Sequence, residues 1–439
     1  MPEDYYTVNK RMLQYLLSDF SQGHARPTRF VQRKSPLNGA VFVQSMVLGG
    51  MKKEVSLPRL AQISGTLGVP ISAAGFDQRI DAEAVELLKR VFQETLRQAA
   101  GARSLDIALL ARFSAVYLID STQVSLAPAL AGDYPGSGGS ASPAALKLQT
   151  LYELLSGTFT AIEVGAATVP DQTCRLHVEH SQPGALHLFD LGYFNQATLA
   201  ELADRGAYFI TRLEHQTGLF SDEQQPQRLQ LLTLLRQLPG DRLEQTVQLG
   251  SKAHLPVRLL LVRLPQAEVE QRRRKAIAKH KAHGRMPTAD YLELLAYQFF
   301  VTNVPADWLS FDHLLLLYRV RWQVELVFKL WKSQAGLAEI GPWRKARVEA
   351  QLYARLIGLT LFYHWSAPCR WQAGKELSLP KAFARLQEQI GAFLRAIRRG
   401  WRGVYALLKR LSAQWTTFDL KTHRRKHPST LHQLLAAVP

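Results

Sequence analysis

Apolar side chains recur at helical spacing through roughly the first hundred residues. The stretches from Asn9 to Ser21 and from Leu37 to Met51 both follow this period. Asp81 is a typical N-cap for a long amphipathic helix that runs to about Ala99. Between these helices, SLPRLAQISGTLGVPISAAGFDQRI predicts a short helix, a turn with glycine and a second short segment. That pattern fits a helix-turn-helix and an unrelated helical hairpin equally well.

From about residue 112 the pattern changes to that of strands. SAVYLID is an apolar run that ends in Asp120, and ALKLQTLYEL and GTFTAIEVGAAT alternate as paired strands do. After a helix near Cys174 to Ser181, ALHLFDLGYF contains a second apolar run that ends in a carboxylate, Asp190. A helix around Gln196 to Arg205 and the short strand AYFITRL follow. This order of elements predicts a mixed α/β sheet.

Residues 214–295 interrupt that order of elements. A glutamine-rich polar segment precedes two strand-like stretches, RLEQTVQLG and LPVRLLLVRLP, and a basic helical run follows them. We therefore expect an inserted subdomain here. YQFFVTNV, from Tyr297 to Val304, predicts a return to the main sheet, and DHLLLLYRV leads into a further helix.

That helix has the sequence YRVRWQVELVFKLWK and carries an unusual set of polar groups. At about 100° per residue, Tyr318, Arg321, Glu325 and Lys332 fall within a sector about 60° wide, which we call the helical stripe. Charged residues at such spacings usually form a solvated face with weak ion pairs. Alternatively, the carboxylate binds a divalent cation and the cationic groups bind phosphate oxygens.

Composition favours a nucleic-acid partner. The 439 residues carry a formal charge of +18, and such a surplus attracts polyanions. Anionic membrane is the competing partner, but no apolar run approaches the roughly 20 residues that span a bilayer. The N-terminus does not resemble a secretory signal. Cys174 and Cys369 are the only cysteines, so we expect a reducing, intracellular compartment and no disulfide framework or thiolate metal site.

The positive charge is concentrated in two regions. From Trp365 to Pro439 there are 14 Lys or Arg against 3 Asp or Glu, a net of +11. Aromatic residues such as Trp401 and Trp415 are interleaved with these charges, which favours folded helices that contact nucleic acid. The second region, from Gln271 to Arg285, contains no acid, and a solvated surface and a binding surface are equally good interpretations of it.

Three carboxylates occupy positions that suit metal-dependent phosphodiester chemistry. Asp120 and Asp190 follow apolar strands, where ligand sites of α/β sheets gather, and Glu325 lies on the helical stripe. Carboxylates that converge on two hard cations roughly 3.5–4 Å apart can clamp the attacking and leaving oxygens. A phosphoaspartyl hydrolase is a weaker alternative, because it would need a second aspartate where Thr122 stands.

At this point the chain resembles the DDE transposases of bacterial insertion sequences, of the IS-four type. Their hallmark is Tyr, two residues, Arg, three residues, Glu, six residues and Lys, and the helical stripe matches it in full. The D-S-T at Asp120 and the D-L-G-Y at Asp190 look like the first and second acidic motifs of that family. The resemblance covers roughly residues 110 to 360.

The resemblance implies an α/β fold with a ribonuclease-H-like, retroviral-integrase-like catalytic core. A β-containing insertion would interrupt this core, and helical N- and C-terminal domains would flank it. We therefore predict a helical N-terminal DNA-binding domain at 1–110, the catalytic domain at 111–213 and 296–360, the inserted subdomain at 214–295 and a basic helical C-terminal region at 361–439.

The resemblance also implies a role for each residue of the site. The three carboxylates would be catalytic and would bind a pair of Mg²⁺ ions, for which Mn²⁺ can substitute. The other residues of the stripe would bind the DNA strand near the cleavage site. The implied site residues are Asp120, Asp190 and Glu325 as catalytic metal ligands, and Tyr318, Arg321 and Lys332 as DNA-binding residues.

The function so implied is cut-and-paste transposition of an insertion sequence. Strands would be cleaved at terminal inverted repeats and transferred into target DNA. The partners would be double-stranded DNA, at the transposon ends and the target, and a second copy in a homodimeric synaptic complex, with no membrane. We expect a bacterial cytoplasmic, nucleoid-associated protein. The alternative is a catalytically silent, transposase-derived protein that binds specific DNA.

The chain departs from the family pattern in one respect. Some relatives use an aromatic residue of the insertion to stack on a flipped base during hairpin formation. Between residues 214 and 295 there is no Trp, and Phe220 and Tyr291 are the only aromatic residues. No residue is therefore assigned to that role, and a hairpin intermediate is not predicted.

Overall fold

The computed structural model describes residues 4–100, 105–138, 142–222, 227–341, 344–372, 374–422 and 428–437. The chain divides into two compact units. The first unit comprises Met1–Asp106, Ser121–Val169 and Trp322–His432, and the second comprises Ile107–Asp120, Pro170–Arg321 and Gln433–Pro439.

The helices and strands alternate along much of the chain, as expected for an α/β protein. The α-helices are α1 Tyr5–Gln14, α2 Ser21–His24, α3 Gly39–Gly50, α4 Leu57–Thr66, α5 Ala73–Gln78, α6 Ala82–Ala99, α7 Leu176–Glu179, α8 Gln196–Asp204, α9 Leu231–Arg236, α10 Gln266–Ala282, α11 Ala289–Leu294, α12 Phe311–Val320, α13 Trp322–Ser333, α14 Lys345–Ser366, α15 Leu379–Arg398, α16 Val404–Phe418 and α17 Thr430–Ala436. The strands are β1 Val116–Ser125, β2 Ala145–Glu153, β3 Thr158–Ala166, β4 Leu186–Phe189, β5 Tyr208–Arg212, β6 Leu219–Phe220, β7 Arg228–Leu229, β8 Arg242–Leu249, β9 Leu255–Arg263, β10 Tyr297–Thr302, β11 Trp371–Gln372 and β12 Lys375–Glu376.

The first unit is mainly helical. Its N-terminal part contains α1 to α6, which confirms the helical pattern of the first hundred residues. Asp81 caps α6 as predicted, because its side chain accepts a hydrogen bond from the backbone amide of Ala84. Helix α14 is buried along almost its whole length, including charged residues such as Arg347, Glu349 and Arg355, and it packs against α3 and α6. Strands β2 and β3 form an antiparallel pair in this unit.

Helices α4 and α5 form the predicted pair of short helices, and residues 67–72 join them. The six residues of α5, AAGFDQ, include no lysine or arginine. The nearest cation after α5, Arg79, donates a hydrogen bond to the backbone oxygen of Phe30. Two short helices joined by a turn are present, as both interpretations of this segment require.

The second unit contains a mixed sheet with the strand order β1-β4-β5-β10-β9-β8-β6-β7. Residues 116–118 of β1 pair in parallel with β4, and β4 pairs in parallel with β5. The pairings from β5 onward are antiparallel. This arrangement confirms the predicted mixed α/β sheet. The parallel strands are apolar and buried, as expected for strands covered on both faces.

The segment 214–295 contributes strands to this same sheet. Every residue of β10 pairs with a residue of β9, and β8 pairs with β9 on the other side. The two strand-like stretches predicted there are therefore present, and they extend the sheet of the second unit. The domain boundaries given above stay a prediction.

No helix in the described ranges is both long and apolar enough to cross a membrane. Cys174 and Cys369 are both buried, and neither is part of a disulfide.

Candidate active site

Asp120 and Asp190 lie at the same level on neighbouring parallel strands. The register of β1 and β4 pairs Leu118 with Leu188. Counting two residues further in this register aligns Asp120 of β1 with Asp190, which directly follows β4. Both side chains are half-buried. That these two carboxylates form one site at the edge of a sheet stays a prediction, which the register supports.

The structure corrects one detail at Asp120, because β1 does not end there. The strand continues to Ser125, and Thr122 and Val124 are buried whereas Gln123 is exposed. This is the alternation of a strand with one covered face. The apolar run ends at Asp120, and the sequence prediction mistook the end of that run for the end of the strand.

Asp190 follows β4 directly and begins a short 3₁₀ turn, Leu191–Tyr193. Its Oδ1 accepts a hydrogen bond of 2.9 Å from the backbone amide of Gly192. A Cβ atom at position 192 would lie 3.1 Å from that same oxygen. The turn therefore orients the carboxylate, and it does so through a close approach that glycine permits.

Arg321 forms an ion pair with Asp120. Its Nη1 donates a hydrogen bond of 2.8 Å to Oδ2 of Asp120. The two side chains are only 13% and 16% exposed. A charge-assisted hydrogen bond in such surroundings is stronger than one in water, and removing one partner alone is costly.

Tyr318 lies one helical turn before Arg321. Its ring packs edge-to-face against Phe300 with 4.8 Å between ring centroids, and the guanidinium carbon of Arg321 is 5.9 Å from the ring centroid. Burial raises the pKa of Tyr318 to about 12; Asp190 also raises it, whereas Arg321 and Arg212 oppose the rise. The phenol therefore stays protonated at neutral pH and can donate a hydrogen bond.

Sequence reasoning missed Arg212, the last residue of β5. The register of β4 and β5 pairs Phe189 with Thr211, so counting one residue further aligns Asp190 with Arg212. Counted in this way, the two registers align two acids and one cation in a row along the sheet. The signal was present in AYFITRL, a strand that ends in a charged residue just as the runs before Asp120 and Asp190 do.

The helical stripe does not lie on one helix, and this corrects the sequence prediction. α12 ends at Val320 and α13 begins at Trp322. At the junction the amide of Arg321 donates to the backbone oxygen of Tyr318, three residues back, as in a 3₁₀ turn. The four residues are therefore divided among α12, the junction and α13.

Glu325 and Lys332 lie on α13, in the first unit. Glu325 is in the first turn and Lys332 is in the last, where each charge is favoured by the helix dipole. Both side chains are half-buried, and burial lowers the pKa of Lys332. Trp331 is fully buried and packs against Phe159 at 5.1 Å between centroids, so the apolar side of α13 is anchored.

Asp120 and Asp190 offer the hard oxygen donors that Mg²⁺ prefers, so the pair fits a divalent cation by its chemistry. In the described part of the chain, no group of three or more His, Cys, Asp or Glu residues could hold a metal ion. The metal-binding roles of the three carboxylates thus stay a prediction that rests on the pair, the motif and the resemblance.

Comparisons with known proteins point to one family. The family described as transposase DDE domain matches residues 111–361, more than half of the chain. The transposase for insertion sequence element IS231F of Bacillus thuringiensis subsp. israelensis is 28% identical, over 96% of this chain and 93% of the relative. The transposase for IS1151 of Clostridium perfringens is 26% identical, over 94% and 92%. Among solved structures, the piggyBac transposase synaptic complex with hairpin DNA is similar over 97% of this chain and 87% of that one, at 10% identity and a TM-score of 0.48.

Proposed function

The chain belongs to the DDE transposases of insertion sequences, and from this premise we propose that it catalyses cut-and-paste transposition of its own element. The proposed reaction is Mg²⁺-dependent cleavage of DNA strands at terminal inverted repeats, followed by transfer of the freed ends into target DNA. The observation that carries the proposal is the parallel register of β1 and β4, which pairs Leu118 with Leu188, each two residues before one of the aspartates. Binding DNA alone does not require two carboxylates in that arrangement.

In this proposal Asp120 and Asp190 would hold Mg²⁺, and Glu325 is assigned the same role from its place in the family motif. When bound there, Mg²⁺ would supply Lewis-acid stabilisation of the negative charge on the phosphate oxygens. The backbone amide of Gly192 donates a hydrogen bond to Asp190, and the guanidinium of Arg321 donates one to Asp120. These two hydrogen bonds orient the aspartates before DNA binds. Pre-oriented groups of this kind contribute more to the rate than groups that must reorganise.

The cationic and phenolic groups would bind the strand that is cut. Arg321 presents a planar guanidinium, which matches the geometry of a phosphate group. Tyr318 keeps its proton and would donate a hydrogen bond to a phosphate oxygen. Lys332 is assigned to the same strand from the motif. Arg212, at the end of the row of charges, would add a further positive charge beside the scissile phosphate.

The proposal also covers the partners and the setting of the protein. Double-stranded DNA would be bound at the element's ends and at the target, and two copies would form the synaptic complex. We place the protein in the bacterial cytoplasm at the nucleoid, in keeping with the bacterial relatives. No hairpin intermediate is included.

The test is strand cleavage of a linear duplex that carries the element's ends, in the presence of Mg²⁺. We expect cleavage by the wild-type protein and none by Asp120→Asn, Asp190→Asn or Glu325→Gln, with DNA binding retained in all three. Asp204→Asn is the matched control, because Asp204 is exposed at the end of α8 in the second unit.

Two outcomes would decide against the proposal. Cleavage at the wild-type rate by Asp120→Asn would refute the assigned site. Binding of the ends by the wild-type protein without cleavage, under Mg²⁺ and under Mn²⁺, would support the catalytically silent DNA-binding protein instead.

A further inference from the structure

Helix α10 is attached to the second unit by only one side. Val269 is its one fully buried residue. On the same side Arg273 donates a hydrogen bond of 3.0 Å to the backbone oxygen of Leu292. The helix is therefore held in place while the opposite side stays open to solvent.

That open side carries four cations that are all exposed: Arg274, Lys275, Lys279 and Lys281. At about 100° per residue they occupy an arc of about 160°, centred opposite Val269. No carboxylate of the described ranges forms an ion pair with any of the four. Arg272, by contrast, is on the attached side and is already paired.

The four cations form two edges with small or neutral residues between them. Helical geometry puts Arg274 and Lys281 at one edge of the arc and Lys275 and Lys279 at the other. The middle of the arc is occupied by Ala278 and Ala282, with Gln271 about two turns before Ala278 on the same line. We call this surface the α10 face; it comprises Gln271, Arg274, Lys275, Ala278, Lys279, Lys281 and Ala282.

We propose that the α10 face binds double-stranded DNA by lying in a major groove. The major groove of B-DNA is about 12 Å wide and admits an α-helix. A floor of alanine lets the helix approach the bases closely, and a cation at each edge can reach the phosphates of each strand. The order of edge, floor and edge on α10 is complementary to that groove.

A solvated surface explains this pattern less well. Solvated helices usually mix charges of both signs along their open face. From Gln271 to Arg285 there is no acidic residue, and the acids of α10, Glu268 and Glu270, both precede this stretch. Such a run leaves the repulsion among the cations uncompensated unless a polyanion neutralises it.

A membrane surface fits the α10 face poorly. An interfacial helix needs a broad apolar side that enters the lipid, opposite or beside its cations. The open side of α10 offers only the methyl groups of Ala278 and Ala282. The apolar residue Ile277 is half-buried on the attached side.

The inference rests on the proposed function only in taking duplex DNA as the partner. Two sources of that DNA have the same chemistry, the element's end and the target. Since the cations contact phosphates and the floor is alanine, we expect binding that depends little on sequence. A surface of this kind suits target DNA and the DNA that flanks the end.

The experiment compares DNA binding by the full-length wild-type protein and by the variant R274Q/K275Q/K279Q/K281Q. The two probes are a duplex with the element's end and an unrelated duplex of equal length, each titrated over a range of salt concentrations. Loss of four phosphate contacts should lower the slope of log affinity against log salt by about 3 to 4 and weaken binding roughly 100-fold at 0.15 M salt. An effect on both probes assigns the face to target or flanking DNA, and an effect on the end duplex alone assigns it to the end.

Smaller variants separate a groove-binding face from a diffuse charge effect. The edge variants R274Q/K281Q and K275Q/K279Q should each lower the slope by about 2. The matched control is R228Q/K252Q, which removes two exposed cations of the second unit outside α10. The charge-conserving variant R274K/K275R/K279R/K281R should bind as the wild type does.

Three results would overturn the inference. The first is an unchanged salt slope in the four-residue variant, and the second is a loss of DNA affinity in R228Q/K252Q equal to that in the edge variants. The third comes from a parallel titration of anionic phospholipid vesicles: the four-residue variant binds the vesicles less well than the wild type does but binds both duplexes equally well. Strand cleavage is measured separately on the end duplex. If the wild-type protein binds both duplexes but never cleaves, the proposed function fails while the assignment of the α10 face stands.

Discussion

The guanidinium of Arg321 donates a hydrogen bond of 2.8 Å to the carboxylate of Asp120, and both side chains are largely buried. This ion pair joins a residue assigned to the DNA phosphate with one assigned to Mg²⁺. A guanidinium and a divalent cation are both counter-charges for a carboxylate. Arg321 therefore has two functions in the proposed reaction, since it orients Asp120 and supplies positive charge to the phosphate.

Replacing Arg321 with alanine should slow strand cleavage by roughly 100-fold or more, the usual effect of losing a pre-oriented donor to a developing charge. Arg321→Lys should recover only part of this rate, because an ammonium group lacks the planar fork. The measurement is the single-turnover cleavage rate at saturating DNA and Mg²⁺. Arg319→Ala is the control, since Arg319 is exposed two residues away. A wild-type rate in Arg321→Ala would favour the interpretation of the helical stripe as a solvated surface with no role in cleavage.

Arg212→Gln should lower the cleavage rate about 10-fold to 100-fold while DNA affinity changes little. Arg212 is one of many cations that would contact DNA, so its loss changes the overall affinity little. Its place beside Asp190 in the row of charges puts its positive charge near the reacting phosphate, where it affects the rate. Rate and affinity are measured on the same end duplex. Arg228→Gln, an exposed cation of the same unit, serves as the control. A variant that loses affinity and keeps its rate would place Arg212 in general DNA binding.

Local patterns were enough to predict most elements of this fold. Alternation predicted β2 and β3 to within a few residues, and the cap at Asp81 located the start of α6. Local patterns also found the two aspartates, because each follows a buried apolar run. What these signals share is that they act between residues close in sequence.

The features that sequence reasoning missed depend on pairing between distant segments. The position of Arg212 beside Asp190 follows from the register of β4 and β5, which no local pattern encodes. The pairing of β9 with β10, which joins the inserted segment to the main sheet, is likewise non-local. The junction at Arg321 was missed because a single 3₁₀ turn leaves helical spacing almost unchanged.

The protein should lose stability in mild acid because of two buried histidines. Burial lowers the pKa of His187 to about 3 and that of His177 to about 4. Both stay neutral when folded but take up protons when unfolded below their ordinary pKa of about 6.5. Their contribution is therefore complete above about pH 6.5 and is lost as pH falls toward 3–4, by about 2 kcal/mol for each group at pH 5.

The measurement is the free energy of unfolding at pH 7.5 and pH 5 for the wild type and for His187→Gln. The variant should be less stable than the wild type at pH 7.5, because it loses the packing of the imidazole against Tyr117 at 5.1 Å. It should nevertheless lose less stability between the two pH values. An equal loss in both proteins would show that His187 does not carry the acid sensitivity.

Removal of divalent cations should stop cleavage and leave DNA binding largely intact. The reason is that the proposed metal acts on the reacting oxygens, whereas most binding energy comes from cations that contact phosphates. Chelation followed by Mg²⁺ or Mn²⁺ should restore cleavage. Added Mg²⁺ should also raise the Tm of the wild type, through binding to the folded state, and should raise that of Asp190→Asn less. Cleavage that persists after chelation would exclude the metal-dependent mechanism.

Gly192→Ala should reduce cleavage with little loss of stability. The added Cβ would lie 3.1 Å from Oδ1 of Asp190, and the neighbouring Asp171 oxygen is 3.6 Å from the same point. The carboxylate must therefore shift by a few tenths of an ångström, which disturbs its orientation without opening a cavity. We expect a rate about 10-fold lower, since catalysis is sensitive to small displacements.

Gly240→Ala is the control in the same unit, because an added Cβ there would meet nothing within 4 Å. Cleavage rate and Tm are measured for both variants. An equal rate in the two would mean that the amide of Gly192 does not set the position of Asp190, and a large fall in Tm for Gly192→Ala alone would assign the glycine to folding and not to the site.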